Sequence, residues 1–212
     1  MAKKQFSELA SDESINKAKE SLIKNGINVL VLENGESAKE KVLEMIPEGA
    51  EVMNMSSVTV DSIGLGKEIN DSGKYNSVRN KLVEMSRSQG DRGFSTDKLS
   101  GQKLGAAPEW AIGSVHAVTE DGKVIVVSAS GSQLPAYAFG SSHVVWIVGA
   151  QKIVKDLNEG MKRIEEYVLP LESERAMKAY GMPSSINKMF ILNKEATLNR
   201  ITMIIVKEKL GF

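Results

Sequence analysis

Short apolar runs alternate with amphipathic stretches along the chain, and this alternation predicts strands covered by helices. Asp12 to Asn25 sets Ile15, Ala18, Leu22 and Ile23 on one face, with Ser11 or Asp12 as N-cap and Gly26 closing the helix. Ile27 to Leu32 follows as a buried strand. Ser37 to Glu40 reads as a capping box opening a helix whose apolar face is Val42, Leu43 and Ile46, and Pro47 ends it. Glu51 to Met55 predicts a second strand. After the small, polar Ser56-Ser57-Val58-Thr59, helical spacing resumes from Val60 to Ile69. Asn76 to Met85 keeps a helical period, and Ser86 to Ala106 predicts a long polar loop.

The central stretch is organised around His116 to Gln133. Two β-branched runs, His116 to Thr119 and Lys123 to Ser128, flank Glu120-Asp121-Gly122, which predicts a hairpin with a type I′ Asp-Gly turn. It closes on Ser128-Ala129-Ser130-Gly131-Ser132-Gln133, followed by a short helical piece from Leu134 to Phe139. His143 to Val148 is apolar on both faces and reads as a central strand. Lys152 to Tyr167 predicts a helix striped by Ile153, Val154, Leu157, Met161, Ile164 and Val168, broken at Pro170 and resuming from Glu172 to Tyr180. Met189 to Leu192 and Ile201 to Val206 are the last strand-like runs. The expectation is one α/β domain, with Ile27 to Leu32, Glu51 to Met55, Val124 to Ser128 and Val144 to Val148 in a single sheet covered by helices on both faces.

Composition narrows the chemistry. Apolar residues are 42% and charged residues 25%, the balance of a globular chain. Lys plus Arg and Asp plus Glu are both 27, so the formal charge is zero and no global field favours nucleic acid or an anionic membrane. With no cysteine the chain offers neither thiolate nor iron–sulfur ligation, so redox chemistry, if any, belongs elsewhere. No Walker-type or dinucleotide fingerprint is present, since Gly64 and Gly66 fall in a helical stretch, and no cofactor or metal is expected. The segment MAKKQFSELASDES lacks a signal-type apolar region and no run reaches spanning length, so the expected location is the cytoplasm.

Two serine-rich loops each follow a predicted strand and precede helical spacing. Ser130, Gly131, Ser132 and Gln133 follow one, and Ser56, Ser57 and Thr59 the other. In an open parallel sheet both face the crevice at the carboxyl ends, where backbone N–H groups suit a phosphate or carboxylate. The plainer use of Ser57, Thr59 and Ser132 is helix capping. Glu120 is a candidate nucleophile or general base, and His116 shares its strand face if the strand persists that far. As plain structure, Glu120 is a turn residue and His116 a hydrogen-bonded strand residue. Trp110 and Trp146 read as core, and His143 as the edge of the core. Lys162, Arg163, Glu165 and Glu166 read as a solvated helix face. Arg87, Arg92 and Lys98 bring positive charge to the irregular loop.

The stretches PEWAIGSVHAVTEDGKVIVVSASGSQL, HVVWIVGAQKIVKDL and IEEYVLPLESERA resemble the LUD domain of the lactate-utilization proteins, closest to its short, stand-alone members. The resemblance implies a three-layer α/β/α fold with a mostly parallel sheet, shared with ribose-5-phosphate isomerase, glucosamine-6-phosphate isomerase and the CoA transferases. Where many members carry Glu-Thr-Gly-Thr, this chain has Glu120-Asp121-Gly122-Lys123, matching the glutamate and glycine but neither threonine. Thr119-Glu120-Asp121-Gly122 is also similar to the Ser-Glu-Asn-Gly loop of CoA transferases, whose glutamate attacks an acyl-CoA. The resemblance implies a ligand among small carboxylates, phosphates or CoA compounds, and oxidoreductase or iron–sulfur partners. An isomerase- or transferase-like enzyme using Glu120 and a non-catalytic partner-binding subunit are the alternatives.

Overall fold

A computed structural model describes residues 5–88 and 98–212. Of the loop charges, Arg92 lies outside the described residues, as do the side chains of Arg87 and Lys98. The chain begins with helix α1 (Asp12–Lys24), strand β1 (Asn28–Leu32), α2 (Gly35–Met45) and β2 (Glu51–Asn54). Next come α3 (Val58–Ser62), α4 (Leu65–Asp71), β3 (Asn76–Ser77), α5 (Val78–Ser88) and α6 (Lys98–Ala106). The hairpin region holds β4 (Trp110–Gly113), β5 (Ala117–Thr119) and β6 (Val124–Ser128), followed by β7 (His143–Gly149) and β8 (Ile153–Val154). Helices α7 (Leu157–Arg163) and α8 (Leu169–Tyr180), then β9 (Lys188–Leu192) and β10 (Ile201–Val206), complete it.

Six strands form a parallel sheet in the order β1-β10-β7-β4-β2-β3. Its central strands β7 and β10 are apolar along their length because both faces are covered. Val145, Ile147, Ile204 and Val206 pack on one side with Ala38 and Val42 of α2, Val60 of α3, and Leu65 and Ile69 of α4. Val144, Trp146, Met203 and Ile205 pack on the other with Ile15, Ala18 and Leu22 of α1. The expected α/β class, a parallel central sheet flanked by helices, is what forms.

Its membership differs in one strand. Val124–Ser128 lies in a second, four-stranded sheet of order β8-β5-β6-β9, against the expectation of a single sheet. The cause is a paired exit. β4 and β7, neighbours in the large sheet, leave it through residues 114–116 and 150–152 and continue as β5 and β8, parallel neighbours in the small one. Val118, Val124 and Val126 join the core of the large sheet, while Ala117, Ile125 and Val127 pack outward against Ile164, Tyr167 and Val168. Since β6 is buried on both faces, its hydrophobic pattern could not tell one sheet from the other.

Local boundaries also move. Asn34, not Ser37, caps α2: its side chain accepts the Ser37 N–H at 2.9 Å, and Glu208 accepts the Gly35 N–H. Helix α7 starts at Leu157, capped by Asp156, and the expected helical Ile153 and Val154 are β8. No break occurs at Pro170. A wide turn at Ile164–Val168 sends the Leu169 N–H back five residues to Ile164 O, and this shift absorbs a proline that has no N–H to give. The hairpin has a three-residue loop: Thr119 and Lys123 pair, Thr119 O accepts the Gly122 N–H, and only Gly122 takes positive φ, at 82°. That is the turn-plus-left-handed-glycine class, not the expected type I′.

Arg200 ties the start of β10 to the turn after β6. Its guanidinium donates to Ser141 O, Ala136 O and Tyr137 O and pairs with Glu195 at 2.6 Å, with both side chains nearly enclosed. Removing one partner of a buried pair strands the other. Arg200→Ala is expected to cost about 3–5 kcal/mol in urea unfolding, and adding Glu195→Gln should return part of that loss.

Candidate functional site

The parallel strands end at one edge, and the loops leaving β2 and β4 open there onto a cavity of about 1140 Å³. Ser56, Ser57 and Thr59 line it, as do Ser130, Gly131, Ser132 and Gln133, and His116. All seven ligand-binding candidates thus share one space. Glu120 does not join them. It lies at the turn end of the hairpin, accepts a 2.6 Å hydrogen bond from Ser14 Oγ, and faces a separate recess of about 230 Å³ with Ser14, Gln151 and Glu159.

The two serine loops spend most of their polar groups locally. Gly131 N–H donates to Ser128 Oγ at 2.8 Å, Ser132 N–H to Ser130 Oγ at 3.3 Å, and Leu134 N–H to Gly131 O. Those serines close the loop on itself and take donors that an anion was expected to use. Ser57 caps α3 through the Val60 N–H. Side chains from elsewhere supply the charge. Arg79, at the start of α5, donates twice to Asn54 O, at 2.6 and 3.0 Å, and to Ser56 Oγ at 3.2 Å. Burial lowers its pKa and Asp61, also in the cavity wall, opposes that shift. Among the described residues no carboxylate lies within ion-pair distance of Arg79. Beside it the Asn54 side chain, 3% exposed and facing the cavity, has an Oδ1 without a hydrogen-bond partner.

Lys152 forms part of the same wall and is 2% exposed. Its Nζ lies 2.9 Å from Thr59 Oγ1, 3.0 Å from Ser114 Oγ and 3.2 Å from Val115 O, with no carboxylate among them. Burial holds its pKa well below the ordinary lysine value, and the nearby Arg163 pushes the same way. Thr59 is fixed because its hydroxyl donates to Leu210 O in the C-terminal segment. Only glycine fits at 113, since a Cβ there would overlap the Tyr137 hydroxyl.

Arg163 is fully buried, contrary to its expected place on a solvated face. It donates to His116 O at 2.6 Å and Gln151 O at 3.3 Å and stacks over Tyr167, while its Nη2 has no partner. The helix phase explains the correction: Gly160, Arg163, Ile164 and Tyr167 follow a 3-4-7 stripe that faces the small sheet. Trp146 and Trp110 are core as expected, with His143 stacked on Trp110 at 4.2 Å. Arg79 and Lys152 are residues that reading by pattern missed, and Arg163 is one it misplaced. The usable signal was a lone lysine inside the apolar run HVVWIVGAQKIV.

His116 bridges the hairpin, its Nδ1 accepting the Val127 N–H at 3.1 Å. Burial, then Lys152 and Arg163, lower its pKa to about 3. Because the folded value lies below the unfolded one, its contribution is complete above about pH 6.5 and is lost as pH falls toward 3. Urea unfolding at stepped pH should show stability falling across this window. His116→Asn should flatten that slope by up to about 1.4 kcal/mol per pH unit.

The sequence profile of the LUD domain matches residues 15–209. A solved structure titled as a DUF162 family protein from Deinococcus radiodurans aligns over 94% of this chain and 99% of its own, with TM-score 0.55 at 10% identity. At that identity the likeness shows the fold. No curated protein matches the chain. With the profile spanning nearly every described element, the chain belongs to the LUD-domain family.

Proposed function

We propose that this chain is a LUD-domain protein of small-carboxylate metabolism, in the lactate-utilization context its family implies, and that it binds a small anion in the cavity at the carboxyl edge of the sheet. The observation that carries this reading is Arg79, a guanidinium in the cavity wall with no ion-pair partner among the described residues. It holds the end of β2 with part of its donor fork and leaves the rest for a ligand, the geometry that suits a carboxylate or phosphate. The hydroxyls of Ser56, Ser130 and Ser132 line the same cavity, and Asn54 Oδ1 is an acceptor for a hydroxyl on the ligand, not for its anionic group. Carboxyl ends of parallel strands are where ligands of open α/β sheets bind. The chain has no cysteine, so on this reading electron transfer falls to an oxidoreductase or iron–sulfur partner. The cytoplasm is the compartment we assign. Among the described residues no helix is long and apolar enough to cross a membrane.

Calorimetric titration with lactate, pyruvate and inorganic phosphate tests the proposal. Losing one charge-assisted hydrogen bond costs about 1.5–3 kcal/mol, so Arg79→Met should weaken the preferred anion about 10- to 100-fold. Equal affinity in the variant and the parent would sink the reading. Glu120→Gln, in the other recess, should leave affinity unchanged. If instead it abolished turnover of an acyl-CoA substrate, the transferase-like alternative would replace ours.

A further inference from the structure

We propose that Ser114 and Lys152 form a serine–lysine pair that performs acyl transfer on an ester or thioester of a small acid, with Ser114 Oγ as nucleophile and Lys152 Nζ as general base. The inference rests on the same cavity being the ligand site, and it gives that site a reaction. Both residues line the cavity. Ser114 is partly exposed at the end of β4, and the amine of Lys152 is buried 3.0 Å from its hydroxyl. That is hydrogen-bond reach for a nucleophile and its base.

The partners of Nζ fix the direction of the proton. Thr59 Oγ1 gives its own hydrogen to Leu210 O, so toward Lys152 it only accepts. Val115 O, 3.2 Å away, can only accept as well. A neutral amine has two N–H donors and one lone pair. In the charged form Nζ donates to all three, and the Ser114 hydroxyl makes only a long contact to Val115 O, at 3.5 Å. In the neutral form the two donors stay on Thr59 and Val115, and the Ser114 O–H turns from that long contact to the lone pair. Thr59 is therefore a positioning residue, and Ser114 is the partner able to reverse its role. Burial without a carboxylate, with Arg163 behind, favours the uncharged amine.

The step balances as follows. Ser114 Oγ attacks the carbonyl carbon, its proton passes to Nζ, and the carbonyl electron pair moves onto oxygen. Collapse breaks the bond to the leaving alkoxide or thiolate, which takes the proton back from Lys152 and leaves an ester on Ser114. Water, deprotonated by the same amine, then cleaves that ester, releasing the acid and restoring the serine. The acyl carbonyl is uncharged, so Arg79, in the same cavity wall, meets the carboxylate only when hydrolysis releases the acid.

The experiment exposes the intact protein to p-nitrophenyl acetate and to a fluorophosphonate, with adducts located by peptide mass spectrometry. The expected result is one adduct on Ser114, absent in Ser114→Ala and formed about 100-fold more slowly or less in Lys152→Met. The charged and titratable groups around the pair are His116, Arg163 and Tyr137, with Asp61 and Arg79 along the wall. His116 at about 3, Arg163 at about 10 and Tyr137 above its usual value leave the range of about pH 5–9 clear of their own titrations. The labelling rate of the unmodified protein should therefore rise through one ionisation below the ordinary lysine range. That profile stands as the readout if circular dichroism shows Lys152→Met unfolded. Absence of an adduct on Ser114 with both probes, an unchanged rate in folded Lys152→Met, or a rate that climbs only near the ordinary lysine value would each overturn the pair. Labelling without anion binding removes the proposed ligand reading and keeps the pair. Anion binding without labelling does the reverse.

Discussion

Two neighbouring strands that leave a parallel sheet together give up their ladder partners at the same place, and the carbonyls stranded there need new donors. Between β4 and β5, and between β7 and β8, these are Val115 O, His116 O and Gln151 O. Leaving each unpaired would cost about 1–3 kcal/mol. Lys152 donates to the first and Arg163 to the other two. Two basic side chains thus occupy an interior with no carboxylate partner among the described residues, held by carbonyl and hydroxyl dipoles and, for Arg163, by the Tyr167 ring. The paired bend is the condition for everything nearby: it creates the small sheet, brings His116 and Ser114 beside Lys152, and turns the carboxyl edge of the large sheet into a cavity wall.

The surroundings are built to hold that arrangement. Leu210 O accepts both the Thr59 hydroxyl and the Gln151 side chain, so the segment after β10 fixes one ligand of Lys152 and braces the residue before it. Arg200 anchors the turn that carries Tyr137, and Tyr137 fills the space left by Gly113 immediately before Ser114. Segments remote in sequence therefore meet at one wall, each fixed by hydrogen bonds that burial makes costly to lose. Asn54 Oδ1 has no such partner, and it belongs to the residue whose backbone carbonyl Arg79 holds.

What the sequence disclosed follows from what periodicity can carry. Burial on both sides made β7 readable as a central strand. The two serine loops line one cavity, but they leave strands of different sheets and not one carboxyl edge. The same two-sided burial hid the sheet to which β6 belongs. Helix starts slid by one turn where a cap other than the expected one won, as Asn34 did over Ser37. Arg163 was misread because charge was taken for exposure, although its phase with Ile164 and Tyr167 pointed inward. Glu120 looked chemical by its motif, yet its carboxylate accepts from Ser14 in another recess, since the hairpin carries it away from the strand ends.

The two buried basic side chains differ in a way that separates support from chemistry. Arg163 spans two carbonyls with a planar fork that stays charged across the working range, which is what bracing a bend requires. An arginine could in principle brace Val115 O as well, and a hydrophobic residue could not, because that carbonyl needs a donor. The chain places a lysine there instead, a group that loses its proton readily when desolvated. Its remaining partners are a threonine committed as an acceptor and a serine whose hydroxyl is held elsewhere only by a 3.5 Å contact to Val115 O. Bracing alone does not call for a proton that can move between two side chains facing a cavity.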